Sequence, residues 1–277
     1  MNAPVIRTDA GHEGWEAIVS DPASAVISTD FDGVLSPLVE DPSRSRPVEG
    51  ALDALARLAR SVNQVAIVTG RPALVATELT GVSGHPGLGR LVVLGHYGLE
   101  RWEASTGKVT SEPVPPGVAT ARDRLPGLLR EAGVPDAFIE DKESSLAVHT
   151  RRLDDPGGAF ELLRGPLTAL AAETELRLEP GNLVLELRPP GIDKGVAIRA
   201  LLASTGARSI LYAGDDLGDL AAFRAIEAER ATGLSAVLLA TRSSNATELI
   251  DAADIVVDDP TGVVTVLTAL SDAIAAR

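Results

Sequence analysis

Two aspartates two positions apart, Asp30 and Asp32, follow the short apolar run Ala25-Val26-Ile27-Ser28-Thr29 and precede Gly33. In an extended strand, residues i and i+2 point to the same side. Both carboxylates are therefore expected to project from one strand end toward one small volume. Two like charges that close are costly unless a cation or a shared proton compensates them. Such a pair suits a metal-assisted reaction in which one carboxylate is the nucleophile and the other the general acid and base. Taken alone, the segment reads equally well as a strand running into an Asp-Gly turn.

The surrounding sequence is organised to place such a strand end. Apolar runs that read as strands, at 25–29, 64–68 and 91–94, alternate with helical periodicity at 48–60 and 72–79. The pattern resumes late, with helices at 194–204, 217–226 and 260–275 and strands at 210–213, 236–239 and 255–257. This alternation predicts βαβ units and an α/β fold with a Rossmann-like, mostly parallel sheet. The first fourteen residues read as a mobile arm ahead of a short helix at 15–19. Between the halves the grammar changes: a Pro-rich opening (Pro113, Pro115, Pro116), a helix near 118–132, and paired strands at 138–142 and 146–151. A helix near 159–173 and a hairpin of 175–178 with 183–188 follow, turned by Glu179-Pro180-Gly181-Asn182. The expected division is a core of 1–103 and 191–277 and an inserted α+β cap domain of 104–190.

Ligands bind outside the carboxyl ends of the strands in open α/β sheets. The first predicted strand is followed by Asp30, Asp32 and Gly33, the second by Thr69, Gly70 and Arg71. The strand at 210–213 is followed by Gly214, Asp215, Asp216 and Asp219. Lys194, one of three lysines, opens a helix just after the insert. Each piece has an ordinary reading: a helix cap for Thr69-Gly70, a solvated side chain for Lys194, helix N-terminal charge for the aspartates. Together, their types and order match one chemistry.

Composition removes several classes. A net charge of −14 repels a phosphate backbone, so no nucleic-acid partner is expected, although a metal and a few cations can still attract a small anion into a cleft. Absence of cysteine excludes disulfides, thiolate metal sites and a cysteine nucleophile. Aromatic residues make up 3%, so the core must be aliphatic. No run resembles a signal peptide or spans a bilayer. The expectation is a soluble cytoplasmic protein with no membrane partner and no feature that demands more than a monomer.

The ordered motifs DFDGVL, TGR, DKG and GDDLGD resemble the haloacid-dehalogenase superfamily of aspartate-nucleophile phosphatases. More narrowly, GHYGLE (95–100), ESSLAVHTR (143–151), LVLELRP (183–189) and GDDLGDLAAF (214–223) resemble the trehalose-6-phosphate phosphatase family, over roughly residues 15–260. Tyr97, Asn182, Gly218 and Leu220 depart from that family's usual residues. The resemblance implies hydrolysis of trehalose 6-phosphate with Mg2+ and an aspartyl-phosphate on Asp30, with Asp32 as acid and base. It implies metal ligation by carboxylates of Asp30 and Asp215 and the backbone carbonyl of Asp32, with Asp216 and Asp219 behind them. Thr69 and Lys194 would bind phosphate oxygens, supported by Gly33, Gly70 and Arg71; Arg71 reads equally well as a structural salt bridge. In the cap, Glu140, Lys142, His149, Arg151 and Glu186 would read the sugar, with His149 and Arg151 on one strand face and Asp141 and Glu143 together on another strand. Competing readings are a phosphatase for sucrose phosphate or a glycosyl phosphoglycerate, a phosphomutase, and a non-catalytic sugar-phosphate-binding domain.

Overall fold

The computed structural model describes residues 4–111, 113–242 and 246–277. In chain order the elements begin with α1 (Asp9–Ser20), β1 (Ala25–Thr29), α2 (Ala51–Leu58), β2 (Gln64–Val68), α3 (Ala73–Thr80), β3 (Val92–Gly95), β4 (Glu100–Glu103) and β5 (Lys108–Ser111). An inserted segment carries α4 (Pro116–Glu131), β6 (Phe138–Asp141), β7 (Leu146–His149), α5 (Pro156–Glu173), β8 (Arg177–Gly181) and β9 (Val184–Arg188). The chain closes with α6 (Lys194–Thr205), β10 (Ser209–Gly214), α7 (Leu217–Arg230), β11 (Ser235–Thr241), α8 (Thr247–Ala252), β12 (Ile255–Val257) and α9 (Pro260–Ala275). Two compact units result, Met1–Ser111 with Asp193–Arg277, and Glu112–Ile192. Among the described residues no helix is long and apolar enough to cross a membrane.

The larger unit is built on an eight-stranded sheet of order β12-β11-β10-β1-β2-β3-β4-β5. It is parallel from β12 to β3 and antiparallel at β4 and β5. All five residues of β1 are buried, as expected of a strand covered on both faces. Ala25 and Ile27 pack on one side with Ile18 of α1, Leu55 of α2 and Leu267 of α9. Val26 packs on the other with Ile198 and Leu201 of α6 and Phe223 of α7. The chain runs outward from β1 through β2 to β3, then returns to place β10 on the opposite side of β1. The strand order therefore reverses at β1, and the carboxyl ends of β2, β1 and β10 lie side by side. In register, Thr29 faces Ile67 on one side and Ala213 on the other.

Three local expectations are corrected. Residues 9–14 are not an arm but the first turns of α1, whose N-cap Thr8 accepts from the Gly11 N–H at 3.0 Å. Two glycines weaken the helix signal there, yet packing requires at least one of them: a Cβ on Gly14 would sit 1.8 Å from the Ala236 carbonyl oxygen of β11. Residues 100–111 form the hairpin β4–β5 on the edge of the main sheet, so the units divide at 111/112 and 192/193, against 103/104 and 190/191. The β8–β9 turn is tighter than EPGN: Gly181 pairs with Val184, leaving Asn182 and Leu183 as the loop, with Leu183 at φ 57°.

The smaller unit is a four-stranded antiparallel sheet, β6-β7-β9-β8, with α4 and α5. Leu146, Val148, Leu185 and Leu187 pack against Leu125 and Leu129 of α4 and Leu163 and Leu167 of α5. The alternate positions point to the other face. Across it Glu140 lies opposite Ala147, Ala147 opposite Glu186, and Glu186 opposite Glu179.

The contact of α1 with β11 gives a direct test. Gly14→Ala must push the helix off the strand, and overpacking of this kind costs about 1–3 kcal/mol. A matching fall in unfolding free energy in urea is expected; an unaltered midpoint would refute the tight contact.

Candidate active site

β1 ends at Thr29, and the next residue begins the site. The Asp30 N–H donates to the Ala213 carbonyl at 2.8 Å, continuing the β1–β10 ladder by one residue and burying the Asp30 side chain. Lys194, at the first turn of α6, reaches the same place. Its Nζ donates to Asp30 Oδ2 at 2.6 Å and to Asp219 Oδ1 at 2.7 Å. The α6 N-terminus is held by Asp193, whose Oδ1 accepts from the Val196 N–H at 2.8 Å. Asp219 is fully buried and accepts on both oxygens: the Tyr212 hydroxyl and Lys194 on Oδ1, the N–H groups of Asp215 and Asp216 on Oδ2. Asp216 caps α7 in a reciprocal box with Asp219, so the ordinary reading of its charge holds beside any role near a metal.

One oxygen each from Asp30, Asp215, Asp216 and Asp219 lies within 4.8 Å of the others. Four carboxylates and one ammonium do not balance. Burial, with the charges of Asp219 and Asp216 next, pushes Asp215 up to about 8. Burial raises Asp30 well above the carboxylate range, opposed by Lys194 and reinforced by Asp219. Burial also raises Asp216, against the pull of Lys194. Asp219 is the exception: burial would raise it, but Lys194 and the Tyr212 hydroxyl hold it below its ordinary value. Lys194 stays protonated, because Asp219 and Asp30 outweigh the cost of burying its charge. A cluster that resists full ionisation fits a divalent cation, and its oxygen-only donors fit a hard one. Gly33 leaves the space: at φ 76°, a Cβ there would lie 2.1 Å from Asp215 Oδ2.

Asp32 departs from the expectation of one shared volume. Because β1 stops at Thr29, strand alternation no longer governs residue 32. Its side chain is not one of the four carboxylates that cluster among the described residues, although its charge adds to those that raise Asp215. Arg71 binds it with a fork, Nε to Oδ2 at 2.6 Å and Nη2 to Oδ1 at 2.7 Å, and Ser45 Oγ donates to Oδ1 at 2.9 Å. Of the two readings of Arg71, the geometry is that of a salt bridge. Thr69, buried after β2, donates its N–H to the Leu94 carbonyl at 2.9 Å, and its Oγ1 accepts from the Arg71 N–H at 3.2 Å. Gly70 lies against Tyr97: a Cβ there would be 2.7 Å from the tyrosine hydroxyl oxygen.

In the smaller unit the sheet face turned away from α4 and α5 gathers several of the expected sugar readers. His149 Nε2 lies 2.9 Å from Glu140 Oε2, and Glu186 Oε1 accepts from Ser145 Oγ at 2.6 Å and from Lys142 Nζ at 3.5 Å. Arg151 is not with them. β7 ends at His149, and Arg151 lies in the following turn, donating to the Asn182 carbonyl at 3.1 Å. Asp141 and Glu143 do not share a strand either: β6 ends at Asp141, and Glu143 sits in the turn at φ 66°. Arg122 of α4 pairs with Asp141 at 2.5 Å.

Sequence reasoning missed Tyr212 and Ser45. Tyr212 had a signal, a hydroxyl inside a buried aliphatic strand that must find a partner. Ser45 had none, since it lies in an irregular Ser/Arg/Pro stretch whose register cannot be read.

Residues 28–253 match the family model described as trehalose-phosphatase. The trehalose-phosphate phosphatase of Mycobacterium avium (strain 104) is 32% identical over 206 residues, covering 71% of this chain and 50% of that protein. The probable trehalose-phosphate phosphatase 9 of Oryza sativa subsp. japonica is 31% identical over 247 residues, covering 78% and 63%. The chain spans about half the length of the mycobacterial trehalose-phosphate phosphatases it matches. Among solved structures, Aspergillus fumigatus trehalose-6-phosphate phosphatase superposes with a TM-score of 0.70 at 21% identity, over 98% of this chain and 99% of that one. A haloacid dehalogenase-like hydrolase from Bacteroides thetaiotaomicron gives 0.57 at 16% identity, over 91% and 98%. At such identities these likenesses speak for the fold, which is the haloacid-dehalogenase fold. With the family model spanning most of its length and both halves of the larger unit, the chain belongs to the trehalose-phosphatase family.

Proposed function

We propose that this chain is a phosphatase that hydrolyses trehalose 6-phosphate to trehalose and inorganic phosphate, the last step of trehalose formation. The observation that carries the reading is the buried ammonium of Lys194 bonded at once to Asp30 and Asp219, at the strand ends that also carry Thr69 and Asp215. A carboxylate so placed is a nucleophile whose charge is sustained by its neighbour.

An Asp30 oxygen attacks phosphorus as the bond from phosphorus to the sugar oxygen breaks. Asp32 gives that oxygen its proton, so trehalose leaves as an alcohol and Asp30 carries the phosphoryl group. Water then attacks phosphorus, passing a proton to Asp32, and the Asp30 carboxylate departs as inorganic phosphate is freed. Lys194 and the Thr69 hydroxyl donate to the non-bridging oxygens, where transition-state charge must be stabilised. Gly33 and Gly70 support the phosphate site, their missing side chains leaving room for Asp215 and Tyr97. Asp30, Asp215 and the Asp32 backbone carbonyl would hold Mg2+, with Asp216 and Asp219 behind; when bound, the ion offsets the carboxylate charge and that of the phosphate. In the smaller unit, Glu140, Lys142, His149 and Glu186 supply hydrogen bonds to sugar hydroxyls; Arg151, turned to the Asn182 carbonyl, is left out of that set. The reading includes a cytoplasmic setting.

Three outcomes are expected. Asp30→Asn lowers inorganic phosphate release from trehalose 6-phosphate by about a thousandfold or more; activity near the wild-type level would sink the nucleophile assignment. Stripping divalent ions with EDTA removes activity and added Mg2+ restores it, whereas undiminished turnover in EDTA would refute the metal site. Glu186→Ala raises KM for trehalose 6-phosphate by about tenfold, and kcat/KM on an aryl phosphate, which has no sugar to read, moves far less. Equal effects on both substrates would remove Glu186 from sugar recognition.

A further inference from the structure

We propose that Ser45 and Arg71 are positioning residues that aim the Asp32 carboxyl at the leaving-group oxygen, an inference that rests on the phosphatase reading above. The three side chains form a closed triangle. Arg71 Nε and Nη2 take the two carboxylate oxygens at 2.6 and 2.7 Å, Ser45 Oγ donates to Oδ1 at 2.9 Å, and Arg71 Nη2 also donates to Ser45 Oγ at 3.0 Å. An ionised carboxylate offers about four acceptor positions. Three are taken, so the one left for the proton that the chemistry moves has a set direction. An unclamped carboxylate would rotate broadly about its last torsion and lose that aim.

The members of the triangle are themselves held. Asp32 follows β1, Arg71 follows β2, and Ser45 comes from the stretch between β1 and α2. Ser45 is 1% exposed. Its N–H donates to the Pro42 carbonyl at 3.3 Å, and its own carbonyl accepts from Arg46 Nη1 at 2.7 Å. The Arg71 carbonyl accepts from the His96 N–H at 2.9 Å, and its guanidinium stands 5.6 Å from the centre of the Phe31 ring. The Arg71 and Asp32 side chains are 17% and 27% exposed. Such a pair is screened less than one on the surface. A lysine could supply the charge at 71 but not the planar fork. An ion pair that merely ties two loops together would also look like this, and the leaving group separates the two roles. A sugar alkoxide needs a proton to leave; an aryl oxide leaves without one. Because kcat/KM counts only steps through loss of the leaving group, it isolates the protonation that Asp32 performs.

The experiment compares kcat/KM on trehalose 6-phosphate and on p-nitrophenyl phosphate for the wild type, Ser45→Ala, Ser45→Cys, Ser45→Thr and Arg71→Lys. Melting temperatures confirm that each variant folds. General acid catalysis contributes about a hundred- to ten-thousandfold, so partial loss of aim is expected to cost about tenfold on the sugar phosphate in Ser45→Ala and about a hundredfold in Arg71→Lys. The effect on the aryl phosphate stays within about twofold for Ser45→Ala. Ser45→Cys, close in size but a weak donor, behaves as Ser45→Ala does, and Ser45→Thr restores the ratio of the two substrates. If variants lose both substrates equally, or Ser45→Ala leaves the ratio unaltered, the positioning role is overturned and the phosphatase reading stands. If the wild type releases phosphate from neither compound, the phosphatase reading falls and takes this inference with it.

Discussion

The Lys194 ammonium is the interaction on which the site depends. Removing an ion from water costs several kcal/mol, and the cost is recovered only with good geometry and further hydrogen bonds. Lys194 meets those terms through two carboxylates at 2.6 and 2.7 Å. Asp219, its firmer partner, is also tied to Tyr212 and to the N–H groups that open α7. One buried cation thereby links the start of α6, the end of β10, the start of α7 and the residue after β1. The acids left over, Asp30 and Asp215 above all, keep a proton demand that a further cation relieves.

The sheet explains why these groups meet at all. Asp30, Thr69 and Asp215 are far apart in sequence, and only parallel strands with their carboxyl ends aligned make them neighbours. Strand order reverses at β1, and such a switch point is the usual place for a ligand in open α/β sheets. The cost falls on local backbone. Gly33 must take a positive φ and lack a side chain so that Asp215 can lie against it.

Much of the larger unit was readable because its strands are short, buried and parallel. They stand out as apolar runs, and the helices between them carry a different period. The readings failed where tertiary contact, not pattern, selects structure. α1 tolerates Gly11 and Gly14 because β11 and Asp254 leave no room for larger residues. The hairpin β4–β5 sits on a sheet edge, where exposure dilutes alternation, so its residues looked like the start of the insert. In the smaller unit the strand ends were misjudged by one to three residues. That is enough to remove Arg151 from the face that Glu140, His149 and Glu186 share.

The pair of aspartates shows the same division at the level of single atoms. The sequence alone determined that two carboxylates end a buried strand, and that Thr69, Lys194 and Asp215 follow in an order suited to phosphoryl transfer. It could not say where each carboxylate points. Once the ladder ends, a side chain goes to the strongest partner within reach, and those partners arrive from distant parts of the chain. Asp30 was claimed by Lys194 across the sheet, and Asp32 by Arg71 and Ser45 from neighbouring loops. Residue type suggested the chemistry; only the folded chain decided which acid joins the carboxylate cluster and which is clamped by Arg71 and Ser45.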